Sequence, residues 1–265
     1  MIVKYNEKQT FAFIGETSLL VKCVNYVIDE GHEVVVVISR NPNVRHALAG
    51  KSEVAEDLAS IEKFKRPSIL FSIVNYQVLD DSALSWPTLA TLNYHDGPLP
   101  SYAGIHCTPW AIINGEEQHG VSWHEVTPII DGGRIVSSIA FPLFFNDTAY
   151  TANARAHELG FQTFIQIVND VSHDNIQFQI QNNKNRTYFG RYQRIEEIVD
   201  WKWSAEKISA LRRGTTFELA VDNWLGEPKI ILGESVVFFE KASVSQISKG
   251  TAQEGQILEI ASDAI

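Results

Sequence analysis

The chain has 265 residues, of which 45% are hydrophobic and 20% are charged, as is usual for a globular protein. Its formal net charge of −10, from 32 acidic and 22 basic residues, disfavours broad contact with phosphate backbones, so we expect no nucleic-acid partner. The chain has only two cysteines, too few for a zinc-binding framework. It has no signal-peptide core and no apolar run near ~20 residues, so we expect a soluble, cytoplasmic protein without a membrane partner.

The N-terminal segment predicts a strand–helix–strand unit. An apolar run at residues 11–14 is followed by helical periodicity up to residue 28 and by a β-branched run at residues 33–39. Strands that are apolar throughout are typical of a parallel sheet covered on both faces. Gly15 alone does not form the G-x-G-x-x-G fingerprint of dinucleotide binding.

Further buried strands are predicted at residues 68–74 and 90–95, with a helix around residues 53–64 before them. Residues 75–79 leave the first of these strands. Because ligands of open α/β sheets bind outside the carboxyl ends of the strands, we expect residues 75–79 to border the ligand-binding crevice.

The strand that ends at His95 carries the first candidate site residues. Asn93 and His95 are two residues apart, so their side chains point to the same face of the strand. An amide donor beside an imidazole, on a segment that opens into a loop, suits a site where negative charge develops on oxygen.

The middle of the chain predicts further sheet elements and one long helix. A short helix is expected at residues 108–113, and strands at residues 120–126 and 134–141 flank a loop at 127–133. A long helix that starts at Asp147 or Thr148 keeps apolar residues at helical spacing, and should therefore cover the sheet.

Beyond residue 174 the composition changes, and residues 175–190 are expected to form an irregular crossing segment. A helix is predicted at residues 201–213, and the short strand-like runs lie at residues 217–221, 229–232, 236–239 and 256–260. We therefore predict two domains, residues 1–192 and a small, mainly β domain of residues 193–265. The chain ends as a strand pattern resumes, so the second domain is either naturally reduced or cut from a longer chain.

Several motifs, in order, resemble the signature of the 10-formyltetrahydrofolate-dependent formyltransferases. The motifs are Asn93-x-His95, Gly97-Pro98-Leu99-Pro100-x-Tyr102-x-Gly104, Gly120-Val121-Ser122-x-His124 and Asp131-Gly132-Gly133-x-Ile135. The 38-residue step from Asn93 to Asp131 matches the step between the Asn and Asp of that family. The resemblance implies an α/β, Rossmann-like parallel-sheet formyltransferase domain. Residues 198–260 resemble the start of the C-terminal domain of methionyl-tRNA formyltransferases, which implies a small, reduced OB-like domain.

The resemblance implies catalytic roles for Asn93, His95 and Asp131, with 10-formyltetrahydrofolate as co-substrate and no metal. In formyl transfer an amine attacks the formyl carbon on N10 of the folate and forms a tetrahedral oxyanion. Asn93 and protonated His95 can each donate a hydrogen bond to that oxyanion. Asp131 would stabilise protonated His95 by its opposite charge and help to move a proton from the amine.

The resemblance also implies a slot for the pterin ring of the folate. The residues expected to line it are Ile73, Asn75, Tyr76, Val78, Ile130 and Gly132. His124 occupies a position where the family often has histidine, and it either supports the site or only fills a strand. His106 and Cys107 either touch the acceptor or are structural, and Cys107 is not expected to be a nucleophile because the mechanism needs no covalent step.

The loop at residues 97–104 departs from the commonest pattern of the family and looks like the formyltransferase domains of nonribosomal peptide synthetases. Residues 196–265 hold 7 basic and 12 acidic residues, whereas a tRNA-binding module should be basic. We therefore expect the acceptor to be an aminoacyl group presented by a peptidyl carrier protein or by adjacent synthetase domains. An amino sugar, a hydroxyornithine side chain and methionyl-tRNA are alternatives. Two other classes of protein are alternatives to a formyltransferase: a formyltetrahydrofolate hydrolase and a non-catalytic folate-binding domain.

Overall fold

The computed structural model describes residues 8–59, 61–217, 224–242 and 244. The strands are β1 (Thr10–Gly15), β2 (Glu33–Ile38), β3 (Val54–Ala55), β4 (Ile69–Ile73), β5 (Ala90–His95), β6 (Ala103–Gly104), β7 (Gln118–Glu125), β8 (Ile135–Pro142), β9 (Tyr188–Phe189), β10 (Lys229–Leu232) and β11 (Ser235–Phe238). The helices are α1 (Ser18–Asp29), α2 (Pro42–Leu48), α3 (Asp81–Ser85), α4 (Cys107–Ile113), α5 (Ala149–Ser172) and α6 (Ala205–Gly214).

The central sheet has seven strands in the order β3-β2-β1-β4-β5-β7-β8. The pairs from β3 to β5 are parallel, whereas β7 runs antiparallel to both β5 and β8. Every residue of β4 is buried, which explains why this strand has no polar alternation in its sequence. The mostly parallel α/β fold predicted from the sequence is confirmed.

Helix α5 covers one face of the sheet, and this fixes the face on which a site can form. The rings of Tyr94 and Trp123 lie 5.5 Å apart, and the Trp123 indole N–H donates to the Gly160 carbonyl of α5 at 3.1 Å. Side chains alternate along a strand, so the neighbours Asn93, His95 and His124 point to the opposite face.

The helix predicted around residues 53–64 is wrong. Val54 and Ala55 instead form β3, which extends the sheet beside Val37 and Ile38, and the Ser39 N–H donates to the Ala55 carbonyl at 2.9 Å. Pairing with a sheet edge has outweighed the local helical pattern here. A helix does form earlier, where the Asn41 side chain accepts from the Asn43 N–H at the start of α2.

The chain divides into two compact units. The first contains the described residues up to Cys107, with Gln118–Pro142 and Asn153–Gly190, and the second contains Thr108–Glu117, Leu143–Ala152 and the described residues from Arg191 onward. These units are interleaved along the chain, and the division into residues 1–192 and 193–265 stays a prediction.

Within the second unit, Ser204 caps α6 by accepting from the Lys207 N–H, and β10 and β11 form an antiparallel hairpin. Small β elements are therefore present in this part of the chain, as predicted. The strand-like residues 218–221 and 256–260 lie outside the described residues. In the part of the chain that is described, no helix has the length and apolar character needed to cross a membrane.

Candidate active site

Asn93 is the one residue of β5 that is partly open to solvent, in a strand that is otherwise buried. Its Oδ1 accepts a hydrogen bond from the Ser72 hydroxyl on β4 at 2.9 Å, which fixes the orientation of the amide. Its Nδ2 donates to the Tyr94 carbonyl at 2.9 Å and lies 3.3 Å from Nε2 of His124. The second amide hydrogen of Asn93 therefore points into the site.

The His95 ring is held in one tautomer by a backbone carbonyl. Nε2 lies 2.7 Å from the Tyr102 oxygen, and because a carbonyl can only accept, Nε2 must carry a hydrogen. The other nitrogen, Nδ1, faces the Asp131 carboxylate, with Nδ1 and Oδ2 3.8 Å apart. Because Nε2 is engaged by the Tyr102 carbonyl, Nδ1 is the nitrogen left for chemistry.

Asp131 lies between the two histidines. Its Oδ2 accepts from the Gly104 N–H at 2.7 Å, and its Oδ1 lies 3.4 Å from Nε2 of His124. Burial alone would raise the pKa of Asp131. The hydrogen bond from His124, the charge of His95 and the Gly104 N–H outweigh burial and lower the pKa to about 2. Asp131 is therefore a carboxylate at neutral pH.

His124 links Asn93 to Asp131. The antiparallel register places it directly opposite Asn93, and its Nδ1 donates to the Glu125 carbonyl at 2.7 Å. A neutral His124 ring can accept from the Asn93 amide through Nε2, whereas a protonated ring donates from Nε2 to Asp131 instead. Nε2 of His124 therefore lies within reach of both the Asn93 amide and the Asp131 carboxylate.

Cys107 adds a second donor to the carbonyl that orients His95. Its Sγ lies 2.8 Å from the Tyr102 oxygen and 3.7 Å from Nε2 of His95. Burial raises the pKa of the Cys107 thiol, so the sulfur stays protonated and can donate. His106, next in the chain, has a left-handed backbone with φ +57°, and burial lowers its pKa.

The residues expected to line the pterin slot lie at the end of β4 and in two loops. Ile73 is fully buried, and the Asn75 side chain closes a turn by bonding the backbone of Gln77. Tyr76 and Val78 are 82% and 92% exposed in the same loop. Ile130 and Gly132 flank Asp131, and the Gly132 N–H donates to the Ile129 carbonyl at 3.0 Å. Their role in binding stays a prediction.

The sequence motifs located the three predicted catalytic residues, which the structure brings together, but not the groups that orient them. The Tyr102 carbonyl and the Gly104 N–H are backbone atoms, which no side-chain pattern reveals. Gln181 and Arg186 also contact this site, from a segment predicted only to be an irregular crossing.

Comparison with known proteins shows that the chain is similar to formyltransferases. The formyl transferase family matches residues 70–168, which include Asn93, His95, His124 and Asp131. The methionyl-tRNA formyltransferase of Clostridioides difficile (strain 630) is 27% identical over 222 residues, 76% of this chain and 72% of that protein. The methionyl-tRNA formyltransferase of Alkaliphilus oremlandii (strain OhILAs) is 25% identical over 269 residues, 94% of this chain and 82% of that protein.

The fold also matches solved structures. An N-formyltransferase from Helicobacter canadensis, solved with folinic acid and dTDP-3-aminofucose, aligns with a TM-score of 0.67 at 21% identity, over 78% of this chain and 81% of that one. The chain is thus similar to formyltransferases, through the family model over residues 70–168 and through relatives of 27% and 25% identity.

Proposed function

We propose that this enzyme transfers a formyl group from 10-formyltetrahydrofolate to a primary amine, using Asn93, His95 and Asp131. The observation that carries the proposal is the clustering of an amide, an imidazole and a carboxylate on one sheet face: Nδ1 of His95 lies 3.8 Å from Asp131, and His124 lies within 3.4 Å of both Asp131 and Asn93. Each of the three has its other polar atoms already bound by the protein. Such preorganised donors are worth most where charge develops during a reaction.

In the proposed reaction the amine nitrogen attacks the formyl carbon, and a carbon–nitrogen bond forms. The carbonyl oxygen becomes an oxyanion, which accepts hydrogen bonds from Nδ2 of Asn93 and from Nδ1 of protonated His95. The bond from the formyl carbon to N10 then breaks. Tetrahydrofolate leaves with a proton on N10, and the formamide product stays on the acceptor.

Asp131 acts through its charge in this scheme. A carboxylate with a pKa of about 2 is a weak base, so it does not store the proton of the amine at neutral pH. It can accept a hydrogen bond from the attacking amine and stabilise the positive charge that the amine acquires. The proton then passes to N10 through water.

The loops around the site fit a flat, partly apolar donor. Tyr76, Val78 and Ile130 expose large apolar side chains, and exposed apolar groups of this kind typically mark a binding surface. The Helicobacter canadensis enzyme was solved with folinic acid, which is also a formylated folate. These observations support a folate donor, and Ile73, Asn75 and Gly132 would complete its slot.

For the acceptor we favour an aminoacyl group carried by a peptidyl carrier protein. The acidic balance of residues 196–265 opposes binding of the tRNA backbone, and the 97–104 loop has no basic residue. An amino sugar is the second candidate, because the Helicobacter canadensis enzyme was solved with dTDP-3-aminofucose.

The test is incubation of the purified chain with 10-formyltetrahydrofolate and, in turn, aminoacyl carrier proteins, nucleotide-linked amino sugars, hydroxyornithine and methionyl-tRNA. Mass spectrometry should detect a formylated aminoacyl carrier protein. Turnover of the donor with no amine present would instead indicate a hydrolase. Absence of turnover with every acceptor, despite donor binding, would contradict the proposed activity.

A further inference from the structure

We propose that residues 181–189, here called the strap, position the active site, and that Gln181 and Arg186 hold Asp131 in its working orientation. This inference rests on the proposed function. The two residues touch neither substrate nor reacting atoms in the scheme above. They act on the backbone of the loop that carries Asp131, and are therefore positioning residues.

The first step of the argument is the loop at Asp131. Its backbone is left-handed, with φ +49°, a conformation that is unfavourable for a residue with a side chain unless neighbours hold it. Nε2 of Gln181 donates to the Asp131 carbonyl at 2.8 Å and to the Gly133 carbonyl at 2.7 Å. One buried amide thus binds the Asp131 carbonyl and the carbonyl two residues further on.

Arg186 holds the other side of the same residue. Its Nη2 donates to the Ile130 carbonyl at 2.7 Å, and its Nη1 lies 3.4 Å from the Asp131 carbonyl. Two side chains of the strap therefore orient the carbonyls of Ile130, Asp131 and Gly133, and this backbone determines where the Asp131 carboxylate points.

The strap also holds the loop that fixes His95. The Tyr102 N–H donates to the Thr187 hydroxyl at 2.7 Å, and the Tyr102 and Phe189 rings stack at 5.1 Å. Strand β6 pairs with β9, and a Cβ on Gly104 would lie 2.0 Å from the Phe189 carbonyl oxygen. Both loops of the site are therefore attached to one segment.

The two attached loops meet at the hydrogen bond from the Gly104 N–H to Asp131. Among the described residues, the titratable and charged side chains around Asp131 include His95 on β5, His124 on β7, Cys107 on α4 and Arg186 on the strap. A displacement of the strap would change both histidine–carboxylate distances together. Misplacement of reacting groups by about 1 Å can cost about 10²-fold in rate.

The test compares Gln181→Met and Arg186→Met with two matched controls in the full-length chain. Gln177→Met changes the same residue type at an exposed position before the strap, and Lys184→Gln removes a positive charge from an exposed position within it. The two test variants should lose kcat by about 10²-fold. The controls should match the parent protein, and Arg186→Lys should recover part of the loss.

Two readouts separate positioning from a general effect on folding. In an Asp131→Asn background Gln181→Met should add little further loss, because both changes act on one group. The ring nitrogen signals of His124 in ¹⁵N NMR should move in Gln181→Met towards their values in Asp131→Asn. Additive losses, or His124 signals unchanged from the parent, would overturn the inference.

The NMR comparison needs no substrate, so it tests the strap even if the proposed acceptor or the proposed reaction fails. Absence of formyl transfer in the parent protein would contradict the proposed function alone. Unshifted His124 signals in both test variants would contradict the role of the strap alone.

Discussion

The side-chain amide of Asn93 offers one hydrogen to a developing oxyanion, and this makes Asn93→Ala the most direct test of the proposed chemistry. Loss of one such donor typically costs about 10²–10³-fold in kcat. Asn93 is partly open and packs little apolar surface, so the fold should persist. The measurement is kcat with the best acceptor, together with circular dichroism.

The matched control for this variant is Asn43→Ala, because Asn43 is exposed on α2 and far along the chain from the site. It should leave kcat unchanged. A value of kcat for Asn93→Ala close to that of the control would contradict a role for the amide in stabilising the oxyanion.

His124 should matter for rate although it was not assigned a role by the sequence motifs. Replacement by Asn removes the Nε2 group that lies within reach of both Asn93 and Asp131. A hydrogen bond to a charged group is worth roughly 1.5–3 kcal/mol, so kcat of His124→Asn should fall about 10- to 100-fold. The dependence of kcat on pH should also change.

His46→Asn on the exposed surface of α2 serves as the control for this change. If His124 only fills its strand, His124→Asn will lower the melting temperature but leave the shape of the pH–rate profile intact.

Asp131 should also affect stability in acid. Its pKa in the folded protein, about 2, lies below the unfolded value of about 3.9, so the ionised group stabilises the fold at pH above about 4. This contribution, on the order of 2 kcal/mol, is lost as the pH falls through about 2. Asp131→Asn should therefore be less stable than the parent near neutral pH, with the difference shrinking in acid.

Urea unfolding at several pH values measures this effect, and Asp29→Asn, at an exposed position in α1, is the control. A stability difference between parent and Asp131→Asn that stayed constant down to about pH 2 would contradict the assignment.

At the scale of elements, the close approach of α5 to the sheet determines which face of β5 is free. A Cβ on Gly160 would lie 2.3 Å from Cε2 of Tyr94. Gly→Ala in a helix is ordinarily stabilising by about 1 kcal/mol, but overpacking of this kind costs roughly 1–3 kcal/mol. Gly160→Ala should therefore lower the melting temperature, whereas Gln162→Ala on the exposed side of α5 should not.

The sequence predicted those elements whose signals are local. Period-two alternation correctly put Asn93 and His95 on one face, and the apolar runs of β1, β4 and β5 correctly indicated buried strands. The helix predicted around residues 53–64 was wrong because β3 forms by pairing with residues 37–38. An edge strand of two residues has no recognisable pattern in the sequence.

The candidate site could be predicted as far as its motif residues. Its supporting contacts could not, because they depend on register and on distant backbone atoms. Asn93 lies opposite His124 because β5 and β7 pair in antiparallel register. Gln181 binds Asp131 although the two residues are 50 positions apart in the sequence.

At the scale of the whole molecule, net charge bears on the choice of acceptor. The chain carries a formal charge of −10, and an acidic protein repels a polyanionic acceptor at long range. We expect formylation of methionyl-tRNA to be negligible beside that of an aminoacyl carrier protein at equal concentrations. The comparison should be made at low and at high salt, because screening would partly relieve the repulsion. Efficient formylation of the tRNA at low salt would contradict the charge argument.

Because both loops of the site are attached to residues 181–189, the site cannot be fully assembled in a nascent chain that ends before these residues. The family match ends at residue 168, so a nascent chain of that length already holds Asn93, His95 and Asp131. The bond from the Ser101 hydroxyl to the Asn185 carbonyl, which spans 84 residues, closes only after the strap has emerged. Closing a loop of that length costs chain entropy before its contacts form. A fragment that contains every motif residue would therefore leave the two loops of the site without the segment to which both are attached.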